Sequence, residues 1–380
     1  MKPMRHLSAC TGIALSLAAG WSSSARAQGP SANVSVFATG LNNPRGLKFG
    51  PDGNLYVAEG GMGGSTSTVG VCDQVIAPVG PYTGGFTSRI SKIDANGNRT
   101  TVADNLPSSQ TSASEGSLVS GVADVAFIGH TMYALTAGSG CSHGLAHTTN
   151  AILKVSPNGT WSMVADLSAF QKSHPVAHPN PPDFEPDGTW YSMVAVRGKL
   201  YAIEPNHGEL DVISLNGEIR RVADISATQG HIVPTSIAYH GNFFVGNLNT
   251  FPIQEGSSKI LKITPSGRVK TVVTGVTTVL GVVFDCEGYL YILENTTGNP
   301  FPTPFTGKIL RVTDDGLEEI ATGLFLPTAM TFGPDGALYV SNVGFGPPPV
   351  GLGQIVKITV PPVSEHEKHD REKPVFDIDD

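Results

Sequence analysis

The chain has 380 residues, with 45 glycines, 28 prolines, 40% apolar residues and 15% charged ones, where an ordinary soluble chain carries roughly a quarter charged. This composition excludes coiled coils and long solvent-exposed helices, and the apolar fraction suffices for a large core, so the glycines read as turns between many short strands. The formal charge of −8 repels phosphate backbones and excludes nucleic acid as a partner.

Residues 1–27 read as a signal peptide. Lys2 and Arg5 form a basic start, Thr11 to Gly20 a short apolar run, and Ala25-Arg26-Ala27 a small-residue cleavage site. The mature chain is expected to begin near Gln28, to be secreted or periplasmic, and to be more negative still, since the leader holds three bases and no acid. Leu7-Ser8-Ala9-Cys10 precedes the apolar run instead of following it, so no lipid anchor is expected. No other run approaches the ~20 apolar residues of a membrane span, and none is expected.

From Pro44 onward one pattern recurs: an apolar strand, a tight turn, a strand ending like Leu55-Tyr56-Val57, a variable loop, a strand like Arg89-Ile90-Ser91-Lys92-Ile93, a turn and a last strand. Six copies are anchored at Tyr56, Tyr133, Tyr201, Phe244, Tyr291 and Tyr339, the last four spaced 43 to 48 residues apart. That spacing is close to the ~40–50 residues of a four-stranded propeller blade. The sixth copy ends at Ile358 without a fourth strand, while Val34–Leu41 looks like one. The expected fold is therefore all-β: a six-bladed β-propeller over residues 28–360, its last blade closed by the N-terminal strand. Residues 361–380 are an acidic tail expected to be disordered.

The extra length between repeats falls on one face, in the segments from Gly60 to Ser88, Pro107 to Ser120, Ala137 to Asn150 and Ser168 to Thr189 and in three shorter ones. Insertions on one face of a repeat scaffold point to its binding side. On that face the second strands end in Glu59, Glu204, Asn247, Glu294 and Asn342, with Thr136 as the exception. Carboxylate and amide oxygens of this kind suit Ca²⁺, so these five are the candidate metal ligands. Arg45, Asn206, His207, Thr235, Asn249 and Asn295 are the candidate ligand-binding residues. His231 is the candidate catalytic base, oriented by Glu204 or Glu294. Of the cysteines outside the leader, Cys72 and Cys141 follow second strands of consecutive repeats and are the candidate disulfide, leaving Cys286 as the spare.

The repeat resembles the NHL, gluconolactonase and strictosidine-synthase group of six-bladed propellers. The blocks Asp183-Phe184-Glu185-Pro186-Asp187-Gly188-Thr189-Trp190-Tyr191, Glu204-Pro205-Asn206-His207-Gly208-Glu209, Gly230-His231-Ile232-Val233-Pro234-Thr235 and Gly241-Asn242-Phe243-Phe244-Val245-Gly246-Asn247 resemble the ScyD/ScyE family of bacterial exported proteins. The resemblance spans about Val34 to Val360 and implies fold and export. In gluconolactonase-like relatives, Glu and Asn residues at second-strand ends bind a divalent metal. Glu59, Glu204, Asn247, Glu294 and Asn342 correspond in kind, and Thr136-Ala137 departs.

The leading expectation is an exported monomer that binds a small or medium-sized ligand, or a protein partner, at the long-loop face of the channel. The alternative is a Ca²⁺-dependent hydrolase or lactonase with His231 as base. A quinone-dependent sugar dehydrogenase is a third reading. It fits poorly, because a tricarboxylate cofactor calls for clustered bases whereas Arg45, Arg89, Lys172 and Lys259 are scattered.

Overall fold

The computed structural model describes residues 29–363 apart from Asn299 and residues 346–350. The expected leader and nearly all of the expected tail fall outside the described residues. No helix in the described part is long and apolar enough to cross a membrane.

Each repeat folds into an antiparallel blade. Blade I comprises Pro44–Phe49, Leu55–Glu59, Thr83–Ile93 and Arg99–Gln110, extended by Val119–Ser120; blade II comprises Val122–Ile128, Thr131–Thr136, Ala151–Val155 and Trp161–Asp166. Blade III follows with Ser192–Val196, Lys199–Glu204, Glu209–Ile213 and Ile219–Asp224, and blade IV with Pro234–His240, Asn242–Asn247, Ser258–Ile263 and Val269–Val276. Blade V is Val279–Phe284, Leu290–Glu294, Gly307–Thr313 and Gly316–Leu324. Blade VI is Ala329–Phe332, Leu338–Asn342 and Gly353–Ile358, completed by Val34–Leu41.

The second strands are apolar on both faces because a strand's side chains alternate between two neighbours. Val57 packs toward blade VI with Leu41 and Ile355, while Ala58 packs toward blade II with Leu153. Ile292 packs with Phe244 and Ile260 of blade IV, and Leu293 with Val340 and Val356 of blade VI. Leu135 of blade II meets Ala202 of blade III, and Ile203 of blade III meets Phe243 of blade IV. Fourth strands have only one covered face and are polar; Trp161–Asp166 begins with three exposed residues.

The ring closes as the sequence suggests. Val34–Leu41 runs antiparallel to Gly353–Ile358, pairing Val34 with Ile358 and Leu41 with Gly353. Without it the third strand of blade VI would leave an open edge. One expectation needs correcting: the loops from Gly60 to Ser88 and from Pro107 to Ser120 are partly strand. Thr83–Gly85 pairs with Ser108–Gln110, which lengthens the outer half of blade I. Cys72 and Cys141 form a disulfide across the loops of blades I and II, with Cα atoms 6.3 Å apart, and Cys286 is free and exposed.

Near the axis, side chains tie each blade to the next. Val122 N–H donates to Ser88 Oγ (2.8 Å), Met193 N–H to Asp124 Oδ2 (2.9 Å) and Ser192 Oγ–H to Thr235 O (2.7 Å). Thr235 Oγ1–H then donates to Val279 O (2.5 Å), Asn295 Nδ2–H to Pro327 O (2.9 Å) and Thr328 Oγ1–H to Pro44 O (2.7 Å). Asp124 crowds the first strand of blade I so closely that a Cβ at Gly46 would lie 1.9 Å from its Oδ1. Only glycine fits there.

Candidate functional site

The polar residues at the second-strand ends do not converge on the axis. Each turns back onto the crossover that enters its own blade. Asn42 N–H donates to Glu59 Oε2 (2.6 Å), Thr189 N–H to Glu204 Oε1 (2.8 Å), Thr277 N–H to Glu294 Oε1 (2.7 Å) and Phe325 N–H to Asn342 Oδ1 (2.8 Å). Asn247 grips the same place in reverse, its Nδ2–H donating to Ile232 O (2.9 Å).

In four blades the residue after the gripped one has a left-handed backbone: Asn43 (φ 51°), Val233 (55°), Thr278 (42°) and Leu326 (42°). Side chains other than glycine resist that conformation, β-branched ones most of all. The Glu or Asn therefore acts as a latch on a strained turn. The second oxygens of Glu59 and Glu204 are engaged too, while Glu294 Oε2 is buried without a hydrogen-bond partner. Glu59 Oε1 accepts from Ser91 Oγ and Arg89 Nε (2.5 and 2.8 Å), Glu204 Oε2 accepts His207 N–H (2.5 Å), and Glu294 Oε2 lies 3.5 Å from Lys308 Nζ. Thr136, the exception, pins the third strand instead, accepting from Ala151 N–H at 2.8 Å.

Among the described residues no group of three or more His, Cys, Asp or Glu is placed to hold a metal ion. Glu59, Glu204, Asn247, Glu294 and Asn342, the expected metal ligands, each make a separate contact with the crossover of their own blade.

What the long-loop face does contain is a cavity of about 490 Å³ on the axis, with lining residues from every blade. Tyr191, entering from blade III, reaches across and donates its hydroxyl to Thr328 O at the start of blade VI (2.8 Å), and it lines the cavity. Arg45 lies beside Tyr191, its Nη2 donating to Val119 O. Trp190, Val233, Leu248, Leu280 and Phe345 make the wall largely apolar.

One side of the wall is acidic, built by the segment Asp183 to Thr189 and by Tyr82 and Glu115. Tyr82 Oη–H donates to Glu185 Oε1 (2.9 Å), and Glu185 Oε2 lies 3.5 Å from His143 Nε2. Burial pushes Glu185 up to about 8, with the charges of Glu204 and Asp183 adding to it. Burial also holds the His143 imidazole below its ordinary value. At neutral pH both groups are uncharged, so their contact is not an ion pair. The ring of His143 is fixed by Ser109 Oγ at Nδ1 and Gly188 O at Nε2, each at 3.0 Å.

Asn206 holds the acidic segment in place, accepting Glu185 N–H and donating to Asp183 O, both at 2.8 Å. Across from it, His231 Nε2 lies 2.8 Å from Asp183 Oδ1. The two atoms are close without forming a hydrogen bond.

Of the expected site residues, Arg45, Thr235, Asn249 and His231 line the cavity. Asn206 supports it from behind. His207 sits away from the wall, its Nδ1 2.7 Å from Gln171 Nε2 and 3.4 Å from Glu204 Oε2, and Asn295 bridges blades V and VI. The carboxylate that lies beside His231 is that of Asp183. Sequence reasoning missed Asp183, Glu185, Tyr82 and Tyr191. Three of these stand in the block Asp183 to Tyr191, where adjacent acids and aromatics in a long insertion were a usable signal.

No protein-family model matches the sequence, and no curated protein matches it. Solved structures do resemble it. A Thermus thermophilus protein assigned as an oxidoreductase (glucose dehydrogenase) aligns with a TM-score of 0.54 at 16% identity, covering 86% of this chain and 99% of its own. A Bacteroides thetaiotaomicron protein of unknown function gives 0.54 at 12% identity over 87% and 76%. A gluconolactonase from Xanthomonas campestris gives 0.51 at 10% identity over 86% and 89%. At such identities the likeness establishes the fold alone. The chain is a six-bladed β-propeller similar in fold to gluconolactonase-like proteins.

Proposed function

We propose that this is an exported propeller that binds a small or medium-sized organic ligand in the axial cavity of its long-loop face. The carrying observation is the cavity itself: about 490 Å³, lined from all six blades, crossed by the Tyr191–Thr328 hydrogen bond, with an apolar wall and a few polar groups. Ligand sites have this size and composition. Export is supported by the leader-like residues 1–27 and by the disulfide, a bond that persists in oxidising compartments.

A second reading, favoured by the 2.8 Å approach of Asp183 to His231, is hydrolysis at the same place. His231 would take a proton from water as it attacks an ester or lactone carbonyl, neutral Glu185 would donate a hydrogen bond, and the proton on His231 would pass to the alkoxide that leaves when the acyl C–O bond breaks. The expected calcium ligands each contact a crossover, and the step is written on this chain's own side chains.

Thermal-shift screening of an organic fragment library tests both readings. Fragments that raise the melting temperature of the wild type are expected to leave Leu248→Trp, whose indole fills the cavity, unshifted. Equal shifts in both proteins would place binding elsewhere. Added lactones or aryl esters that are turned over by the wild type and not by His231→Gln would make the site an enzyme's.

A further inference from the structure

The floor of the cavity holds a cation that no described residue neutralises. Arg45 is 9% exposed, yet its polar neighbours are a backbone carbonyl, Val119 O, and the Tyr191 hydroxyl. Among the described residues no carboxylate comes within ion-pair distance of it. Arg89, Arg221 and Arg311, by contrast, are held by Glu59, Glu209 and Glu318. A desolvated charge without a counter-ion is costly, and burial accordingly holds the Arg45 guanidinium below its usual value.

An arginine is not needed to satisfy Val119 O, which one neutral donor would serve. What a guanidinium adds is a planar fork of five N–H donors that matches a carboxylate. Two of the three acids that line the cavity are engaged elsewhere, Asp183 with His231 and Asn206 and Glu185 with Tyr82, and the third, Glu115, forms no ion pair with Arg45. The lining also includes the apolar Leu118, Val119, Ala123 and Trp190, of which Val119 contacts Arg45.

We propose that the cavity takes an amphipathic organic anion, its carboxylate on Arg45 and its apolar body against the wall of Trp190, Val233, Leu248 and Leu280. The assignment rests on the reading of the cavity as a ligand site. It goes further in naming the charge of the ligand and the residue that selects it.

Calorimetric titration with a panel of aryl and alkyl carboxylic acids, each paired with its methyl ester and including 2-naphthoic and cinnamic acids, tests it. The wild type is expected to bind at least some acids tenfold or more tighter than their esters. Arg45→Lys should keep a reduced preference. Arg45→Met should lose it while keeping the ester affinity, which also shows that the variant is folded. Equal affinity for acid and ester in the wild type overturns the anion assignment and leaves the cavity standing as a ligand site. A preference that survives Arg45→Met overturns it too, and failure of every acid and ester to bind counts against the assignment and the ligand site together.

Discussion

Glu59→Ala is expected to lower the unfolding free energy by about 3 kcal/mol, the range for removing one partner of a buried, hydrogen-bonded ion pair, here taken at its low end because Arg89 is partly solvated. Glu59 is fully buried, and its two oxygens hold Asn42 N–H, Ser91 Oγ–H and Arg89 Nε–H. Alanine leaves an arginine without its counter-ion and a backbone N–H without its acceptor, next to the left-handed Asn43. Each unmade bond of this kind costs about 1–3 kcal/mol. Glu59→Gln keeps one acceptor but no charge and should lose roughly half as much. Chemical denaturation of the three proteins measures this directly. A loss below about 0.5 kcal/mol, the level of an ordinary surface substitution, would show that the strand-end carboxylate is not a latch.

Glu185→Gln is expected to change how stability depends on pH. The carboxyl is neutral in the fold up to about 8 but ionises near 4.5 when the chain unfolds. Its contribution is therefore complete below 4.5 and is lost as pH rises toward 8, at about 1.4 kcal/mol per pH unit. Tyr82, His143, Asp183 and Glu204 surround it; burial raises the Tyr82 phenol and lowers the His143 imidazole, and the acids oppose its ionisation. Glutamine keeps the shape without the ionisation. Between pH 6 and 8 the wild type should lose about 2 kcal/mol more than Glu185→Gln. Glu209 and Glu294, both raised to about 7 chiefly by burial, and Asp124, raised to about 6 by burial, slope the same way in both proteins and cancel from the comparison. Parallel profiles would show that Glu185 ionises freely in the fold.

The propeller was legible because its signal is physical and repeated. A second strand packed between two neighbours must be apolar on both faces, which makes Tyr289-Leu290-Tyr291-Ile292-Leu293 and its five counterparts stand out from the polar fourth strands. The closing strand was legible because blade VI lacked one and Val34–Leu41 matched the end of blade V in kind.

The direction of the strand-end side chains was not legible. Whether Glu294 points to the axis or folds back on Thr277 depends on a left-handed turn at Thr278, and threonine gives no hint of such a turn. The Glu and Asn residues recur for a structural reason, since every crossover leaves a backbone group that needs a partner. A shared structural need therefore produced the same pattern as a shared metal would. The acidic wall was missed for a different reason: Asp183 and Glu185 lie in an insertion without period, and only the chain path brings them to Tyr82 from blade I and to His231 before blade IV. Arg45 was legible as a base on the binding face; its lack of a counter-ion appears only once the blades are assembled.

The most direct test of this account, in which the strand-end acids build the ring and the function resides in the cavity, is the melting temperature of the purified protein in EDTA and then in excess Ca²⁺. A ligand bound only by the folded state raises its stability, by about 2.7 kcal/mol at a hundredfold excess over Kd. The melting temperature is expected to be the same in EDTA and in Ca²⁺. A melt that falls in EDTA, is restored by Ca²⁺, and loses that response in Glu204→Gln would contradict the account and return the five residues to a metal site.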